Sequence, residues 1–272
     1  VLEKMNLTIV LTGDEEKLGA SPAIVRKELI DAGKWADIGL GFEGTYGMDT
    51  GTVSRRSSSS WILTTTGIQG HSSQVFSDRL GYGAIFESSR ILDGFRTQLS
   101  EEQYLTFNPG VIVGGTSTQF DPVLAQGSAF GKTNVVSQTV TVHGGIRTIS
   151  SDQLETAIKS MEKIVSNNLP GTTAKIEFKR SYPPMEPKRA NYKLLEKLEK
   201  INKALGYGAI TPLDPSRRGA ADISFVAPYV DAALAGMGPD GHASHSSEEW
   251  LDLSSFPITS TRAAIFIYRL TR

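Results

Sequence analysis

The segment Tyr182-Pro183-Pro184-Met185-Glu186-Pro187 places three prolines in five positions. Proline has no backbone N–H and clashes with the preceding turn, so neither a helix nor a central strand runs through it. A second change of character lies at residues 49–60. There Asp49-Thr50-Gly51-Thr52 and the pair Arg55-Arg56 run into four serines, which reads as a hinge or linker. Between the breaks, periodicity gives strand (about 60–66), helix (about 82–97), strand (about 104–115), strand (about 133–147), helix (about 151–168) and strand (about 173–181). Ser151-Asp152 is the capping signal of the second helix. The order βαββαβ is ferredoxin-like. The expected organisation is an inserted α+β domain at 57–183, within an α/β domain built from 1–54 and 187–272.

The flanking pieces carry their own pattern. Thr8-Ile9-Val10-Leu11-Thr12 is a short β-branched run that reads as a buried strand, ending at Gly13 and three acids, Asp14, Glu15 and Glu16. Ser21-Pro22 supplies an N-cap and a first-turn proline. Ile24, Val25, Leu29 and Ile30 follow at near-helical spacing, and Gly33 closes that helix. The segment Asp37–Glu43 is a second strand ending in an acid. Strand, helix, strand favours a parallel sheet. Beyond the prolines, Ala190 to Leu205 is helical with Leu194, Leu195, Leu198 and Ile201 on one face. A short strand at Ala232-Ala233-Leu234 and a helix from about Phe256 to Leu270 complete the chain.

Across 272 residues the net charge is −1, which gives no electrostatic reason to expect nucleic acid or an anionic membrane as partner. No apolar run has the length of a membrane span. The absence of cysteine removes disulfides, thiolate metal sites and cysteine nucleophiles, and leaves cytosol and periplasm equally open. Val1 is not a methionine and leads straight into the core-like run, so the expectation is a piece of a longer protein.

Three adjacent carboxylates at a strand end are costly to hold without a cation. With Glu43 at the next strand end, where open α/β sheets bind ligands, they suggest a metal centre. Solvated loops whose acids compensate helix dipoles are the plainer alternative. Of the four histidines (His71, His143, His242, His245), two lie in the glycine-rich loop Gly236–Glu249. Imidazole with carboxylates suits zinc, and by sequence alone either His242 or His245 could serve.

Gly13-Asp14-Glu15-Glu16, Phe42-Glu43, Gly67-Ile68-Gln69-Gly70-His71-Ser72 and His245-Ser246-Ser247-Glu248-Glu249, in this order, resemble the M20 metallopeptidases. That family includes glutamate carboxypeptidases, dipeptidases and acyl-amino-acid deacylases. The resemblance implies a mixed-sheet, zinc-exopeptidase-like catalytic domain with an inserted lid or dimerisation domain. It implies Glu15 as general base, Glu16, Glu43 and His245 as metal ligands, and two zinc ions in the intact enzyme. It also implies that His71 reaches across a homodimer to the oxyanion, with Asn134 at the substrate site and Arg147 on a substrate carboxylate. The family has an acid two residues before that arginine, where this chain has Gly145.

The implied reaction is hydrolysis of an amide or peptide bond next to a free carboxylate, on a small peptide. The alternatives are an N-acyl-amino-acid deacylase or desuccinylase, and an inactive dimerising protein. The family's upstream His-x-Asp and bridging aspartate have no counterpart here, since no His-x-Asp occurs in the chain. The expectation is that this chain alone binds zinc poorly and turns over little.

Overall fold

The computed structural model describes residues 5–16, 19–244 and 246–272. In chain order its main elements are helix α1 (Lys27–Trp35), strands β1 (Ile38–Leu40) and β2 (Ser58–Gly67), α2 (Ala84–Leu99), β3 (Thr106–Gly115), β4 (Ser117–Asp121), β5 (Gln126–Phe130), β6 (Thr139–Arg147), α3 (Ser151–Val165), β7 (Thr172–Tyr182), α4 (Arg189–Ala204), β8 (Ala232–Leu234) and α5 (Ser255–Leu270). The chain divides into two compact units. One takes in the described residues up to Ser57 together with Ser181–Arg272; the other is Ser58–Arg180.

The inserted unit is built on a four-stranded sheet in the order β3-β6-β2-β7, the ferredoxin-like arrangement. Strand β6 runs antiparallel to both β2 and β3. In β2 every second residue is buried, namely Ser59, Trp61, Leu63 and Thr65, the period of a strand with one face on the core. That face packs with Ile91 and Phe95 of α2 and with Leu154 and Met161 of α3. Gly144 on β6 is needed for closeness, because a Cβ there would stand 2.2 Å from the Trp61 ring.

Two sequence expectations are corrected in this unit. The stretch read as one strand from 133 begins only at Thr139, and residues 117–130 instead form the antiparallel hairpin β4–β5. Its side chains are largely exposed, so no buried periodicity marks it. The α3 cap is Ser150 rather than Ser151-Asp152: Ser150 Oγ accepts the Gln153 N–H at 3.0 Å, while Gln153 Oε1 accepts the Ile149 N–H at 3.0 Å.

In the discontinuous unit, β1 and β8 pair in parallel, Ile38 to Ala232 through Leu40 to Leu234. Leu194, Leu195, Leu198 and Ile201 of α4 share a core with Leu234, Ala263 and Phe266. The paired chains stay in register past the strand ends. Gly41 N–H donates to Leu234 O (2.8 Å), Met237 N–H to Gly41 O (3.0 Å) and Gly238 N–H to Glu43 O (2.9 Å). A Cβ on Gly238 would come within 2.8 Å of Glu43 O, so this approach requires glycine.

Three expectations fail in this unit. Thr8–Leu11 is not a strand: it has no ladder partner among the described residues, and Ile9 and Leu11 are 76% and 92% exposed. β-Branched composition favours extended backbone, but a strand also needs a neighbour. The helix after Ser21-Pro22 breaks at Arg26 and resumes as α1, running past Gly33 to Trp35. The segment taken as a linker is packed: Val53, Ser54, Arg55 and Ser57 are buried, and Thr52 bridges to Ala235. Small side chains allow the chain to thread the core there.

Candidate active site

Four groups converge on Glu15. The turn that carries it is set by Asp14, whose φ of 59° lies in the left-handed region that aspartate tolerates better than most residues. The Glu15 carbonyl accepts the Tyr182 hydroxyl at 2.9 Å. Arg26 Nη2 donates to that hydroxyl at 3.4 Å, and Arg26 Nε to Asp222 Oδ1 at 2.7 Å. Arg26, at the break between the first helical turn and α1, is 1% exposed. Burial, with Asp222 beside it, pushes the Tyr182 hydroxyl up to about 12, so it stays a hydrogen-bond donor. The Glu15 carboxyl is raised above its ordinary value, first by burial, then by Glu43, Glu16 and Asp222; Arg55 offsets part of this.

Glu43 follows β1, its backbone fixed by Gly238. Arg55 Nη2 pairs with Glu43 Oε2, and Arg218 Nη2 lies 3.7 Å from the same oxygen. Arg55 is held at both ends. Its backbone exchanges two 2.9 Å hydrogen bonds with Met185, and Nη1 donates to Ala220 O at 3.2 Å. Arg218 Nη2 donates to Gly44 O at 3.0 Å, and its guanidinium stands 5.2 Å from the Tyr46 ring centre. Burial, with Arg55 nearby, lowers Arg218 to about 10.

Glu43 and Glu16 thus both act electrostatically on Glu15. Oxygen donors of this kind suit a hard or borderline cation. Among the described residues no three metal-binding side chains are grouped closely enough to close a site. His245, the expected imidazole ligand, lies outside the described residues. His242 pairs its ring with Tyr46 and Trp250, at 6.0 and 5.1 Å between centres.

In the inserted unit, Ser72 N–H donates to Asn134 O (2.9 Å), Val136 N–H to Gly70 O (2.9 Å), and His71 bridges Val135. His71 and Asn134 therefore share one end of the sheet. His71 Nδ1 accepts the Ser73 N–H at 3.2 Å, which leaves the ring proton on Nε2. Arg147 ends β6 opposite Thr106 and lines a 290 Å³ cavity with Ser58, Ser59 and Asn108. Strand β6 has nine residues, so at about 3.3 Å per residue the two ends are about 26 Å apart.

The sequence reading missed Arg26, Arg55, Tyr182, Arg218 and Asp222. The one available signal was two arginine pairs, Arg55-Arg56 and Arg217-Arg218, in a chain whose acids needed partners.

Residues 53–173 match the family described as the peptidase dimerisation domain of M20 proteins. No curated protein sequence matches the chain. Among solved structures, the aminopeptidase PepT of Bacillus cereus aligns over 91% of this chain and 63% of its own, with a TM-score of 0.69 and 14% identity. A tripeptidase of Staphylococcus aureus aligns over 91% and 62%, at 0.67 and 18%. The Bacillus subtilis YxeP protein, described as a dinuclear metal-binding peptidase of the M20 family, aligns over 94% and 63%, at 0.61 and 15%. The chain spans less than two thirds of the length of each of these structures. No helix among the described residues is long and apolar enough to cross a membrane. Residues 53–173 thus match the M20 peptidase dimerisation domain, in a chain that shares the fold of these peptidases.

Proposed function

We propose that the chain provides part of a metal-dependent hydrolase that cleaves an amide or peptide bond next to a free carboxylate, as an exopeptidase. The observation that carries this is Glu15, a half-buried carboxyl raised by burial and then by its acidic neighbours in a fold shared with a dinuclear metal-binding peptidase. A base raised toward working pH can take a proton from water and pass it to the leaving amine. Glu16, Glu43 and His245 are the residues that would hold metal, with zinc the expected ion. When bound, the metal supplies Lewis acidity to a water and a carbonyl. Tyr182 and Arg26 hold the Glu15 turn, and Arg55 compensates the acids.

In the inserted unit, His71 with its proton on Nε2 is suited to donate to an oxyanion. Arg147 is suited to fork onto a substrate carboxylate, and Asn134 to a further polar contact with substrate. The 26 Å between the ends of β6 keeps His71 and Arg147 of one copy off the same small substrate. A homodimer through the inserted unit resolves this, with His71 serving the partner's site. The test is Glu15→Gln in the intact enzyme: turnover of small peptides should vanish while zinc content is unchanged. Zinc lost along with activity would make Glu15 a ligand, and unaltered turnover would remove it from the reaction. Cleavage of N-acyl amino acids but not of dipeptides would replace the exopeptidase by a deacylase.

A further inference from the structure

Alternate residues of β6 enter the core of the inserted unit, namely Val140, Val142 and Ile146. Thr141, His143, Gly145 and Arg147 therefore share the opposite face of the sheet. The hairpin β4–β5 folds back over that face. Its open end is tied to the end of β3, where the Thr116 N–H donates to Phe130 O at 2.7 Å. Further along, Gly127 lies against Val113, since a Cβ on it would stand 2.3 Å from Val113 Cγ2. The Phe120 ring then stacks on His143 at 3.7 Å between centres, and His143 is paired with Val111. The contacts thus step back along β3 toward its start, and the turn beyond Phe120 continues toward Asn108, Gly145 and Arg147. From His143 to Arg147 is about 13 Å along the strand; Val123 and Leu124 follow Phe120 by three and four residues.

Gly145 leaves the middle of this stretch empty: a Cβ there would meet nothing closer than Ser59 O at 3.8 Å. The 290 Å³ cavity lined by Asn108, Gly145 and Arg147 lies here. The only charged residue of 117–130 is Asp121, and its Oδ1 accepts the Val123 and Leu124 N–H groups at 2.8 and 3.1 Å. Val123 and Leu124 are 81% and 63% exposed, in a turn of the kind that polar residues usually fill. We infer that the stretch between Phe120 and Arg147 is a side-chain slot beside the carboxylate subsite. Gly145 is its floor, and Phe120 with the hairpin tip forms its apolar walls. It takes a substrate whose free carboxylate belongs to a residue with an apolar side chain, such as leucine. This rests on Arg147 holding that carboxylate, as proposed above. A charged side chain would be desolvated in the slot without a partner from the hairpin.

The experiment titrates the chain with N-acetyl-leucine, N-acetylglycine and N-acetylaspartate, following backbone amide shifts. The proteins are wild type, Gly145→Val, Val123→Ser with Leu124→Ser, and Arg147→Ala. Wild type should bind N-acetyl-leucine about fivefold or more tightly than N-acetylglycine, and N-acetylaspartate no more tightly than N-acetylglycine. Gly145→Val fills the slot in a strand that suits valine. It should abolish the preference for leucine while N-acetylglycine stays within about twofold of wild type. The double tip variant should cut the preference by about threefold or more. If Gly145→Val does not fold, the tip variant decides, because its two side chains are exposed and carry no core packing. Arg147→Ala should lose all three acids. A preference that survives either slot variant, or tightest binding of N-acetylaspartate, overturns the inference alone. Acids that bind wild type and Arg147→Ala equally, or no acid binding at all, overturn the carboxylate reading of Arg147 and the inference with it.

Discussion

Glu87 and Glu15 are both glutamates withdrawn from solvent, and they are treated in opposite ways. Glu87 in α2 is 0% exposed. It accepts from Arg90 Nη2 (2.7 Å), Arg90 Nε (3.1 Å), the Leu169 N–H (3.0 Å) and Asn168 Nδ2 (3.2 Å). Burial pushes its carboxyl up, but these donors outweigh burial and hold it below its ordinary value. Glu15 is surrounded by Glu43, Glu16 and Asp222, and both burial and repulsion raise it. One carboxylate has been given everything its charge requires, and the other has been left short. The satisfied site ties a helix to a loop, whereas an unsatisfied carboxylate is the kind of group that functional sites collect.

The largest effect expected from this contrast is on turnover. In the intact enzyme Glu15→Gln should cost on the order of a thousandfold in kcat, about 4 kcal/mol, with thermal stability at neutral pH equal to or above wild type. A thermal midpoint lowered by several degrees would mean that Glu15 is structural after all, and the contrast would collapse. Glu87→Ala should do the reverse. It strands the Arg90 guanidinium and the Leu169 N–H and should destabilise the inserted unit by about 3 kcal/mol, leaving metal content unchanged. Urea unfolding followed by Trp61 fluorescence, with Trp35 and Trp250 replaced by Phe, reads this, and a loss under about 1 kcal/mol would show that the Glu87 network is incidental.

Legibility divides along similar lines. The inserted unit was readable because Val140 and Val142 alternate with polar neighbours, and because Leu154, Ile158, Met161 and Val165 recur at helical spacing in α3. Such signals are local. The hairpin β4–β5 was not readable, since its exposed strands carry no burial period. Thr8–Leu11 misled for the complementary reason: its residues suit a strand, but pairing is decided by another segment. In the candidate site, the acids Glu15, Glu16 and Glu43 stood out by adjacency and by position at element ends. Their partners did not, because Arg55 lies 12 residues from Glu43 and Asp222 lies 196 from Arg26. Arg55 entered through a segment that looked like a linker. Long-range charge compensation leaves no periodicity to find.

The pH dependence should carry opposite signs at the two carboxylates. Glu87 is depressed in the folded state, so its stabilisation is complete above the ordinary glutamate value of 4.5 and is lost as pH falls through its folded value. The difference in thermal midpoint between wild type and Glu87→Gln should therefore shrink on acidification below 4.5. Glu15 is raised in the folded state. Its ionisation costs stability, and the cost disappears as pH falls from its folded value toward 4.5. Relative to Glu15→Gln, wild type should gain stability over that window. Midpoints measured from pH 7 to pH 3 read both trends. Parallel trends for the two variants would dissolve the distinction between a satisfied and an unsatisfied carboxylate.

The smallest effect tests whether the inserted unit's satisfaction of polar groups extends to its helix ends. Ser150 Oγ accepts the Gln153 N–H, and Gln153 returns a bond to the Ile149 N–H. One donor that the helix leaves open and one on the residue before the cap are thus closed reciprocally. Ser150→Ala should cost about 1 kcal/mol. Ser151→Ala, one residue along and inside the first turn, should cost less than about 0.5 kcal/mol, because alanine is the better helix former there. If the two losses are equal, the cap is shared between the serines. If Ser151→Ala costs more, the helix starts one residue later, and the bonds at Ser150 are not what holds it. Only the ordering Ser150 above Ser151 fits a unit that meets its polar requirements through named donors and acceptors, as it does at Glu87.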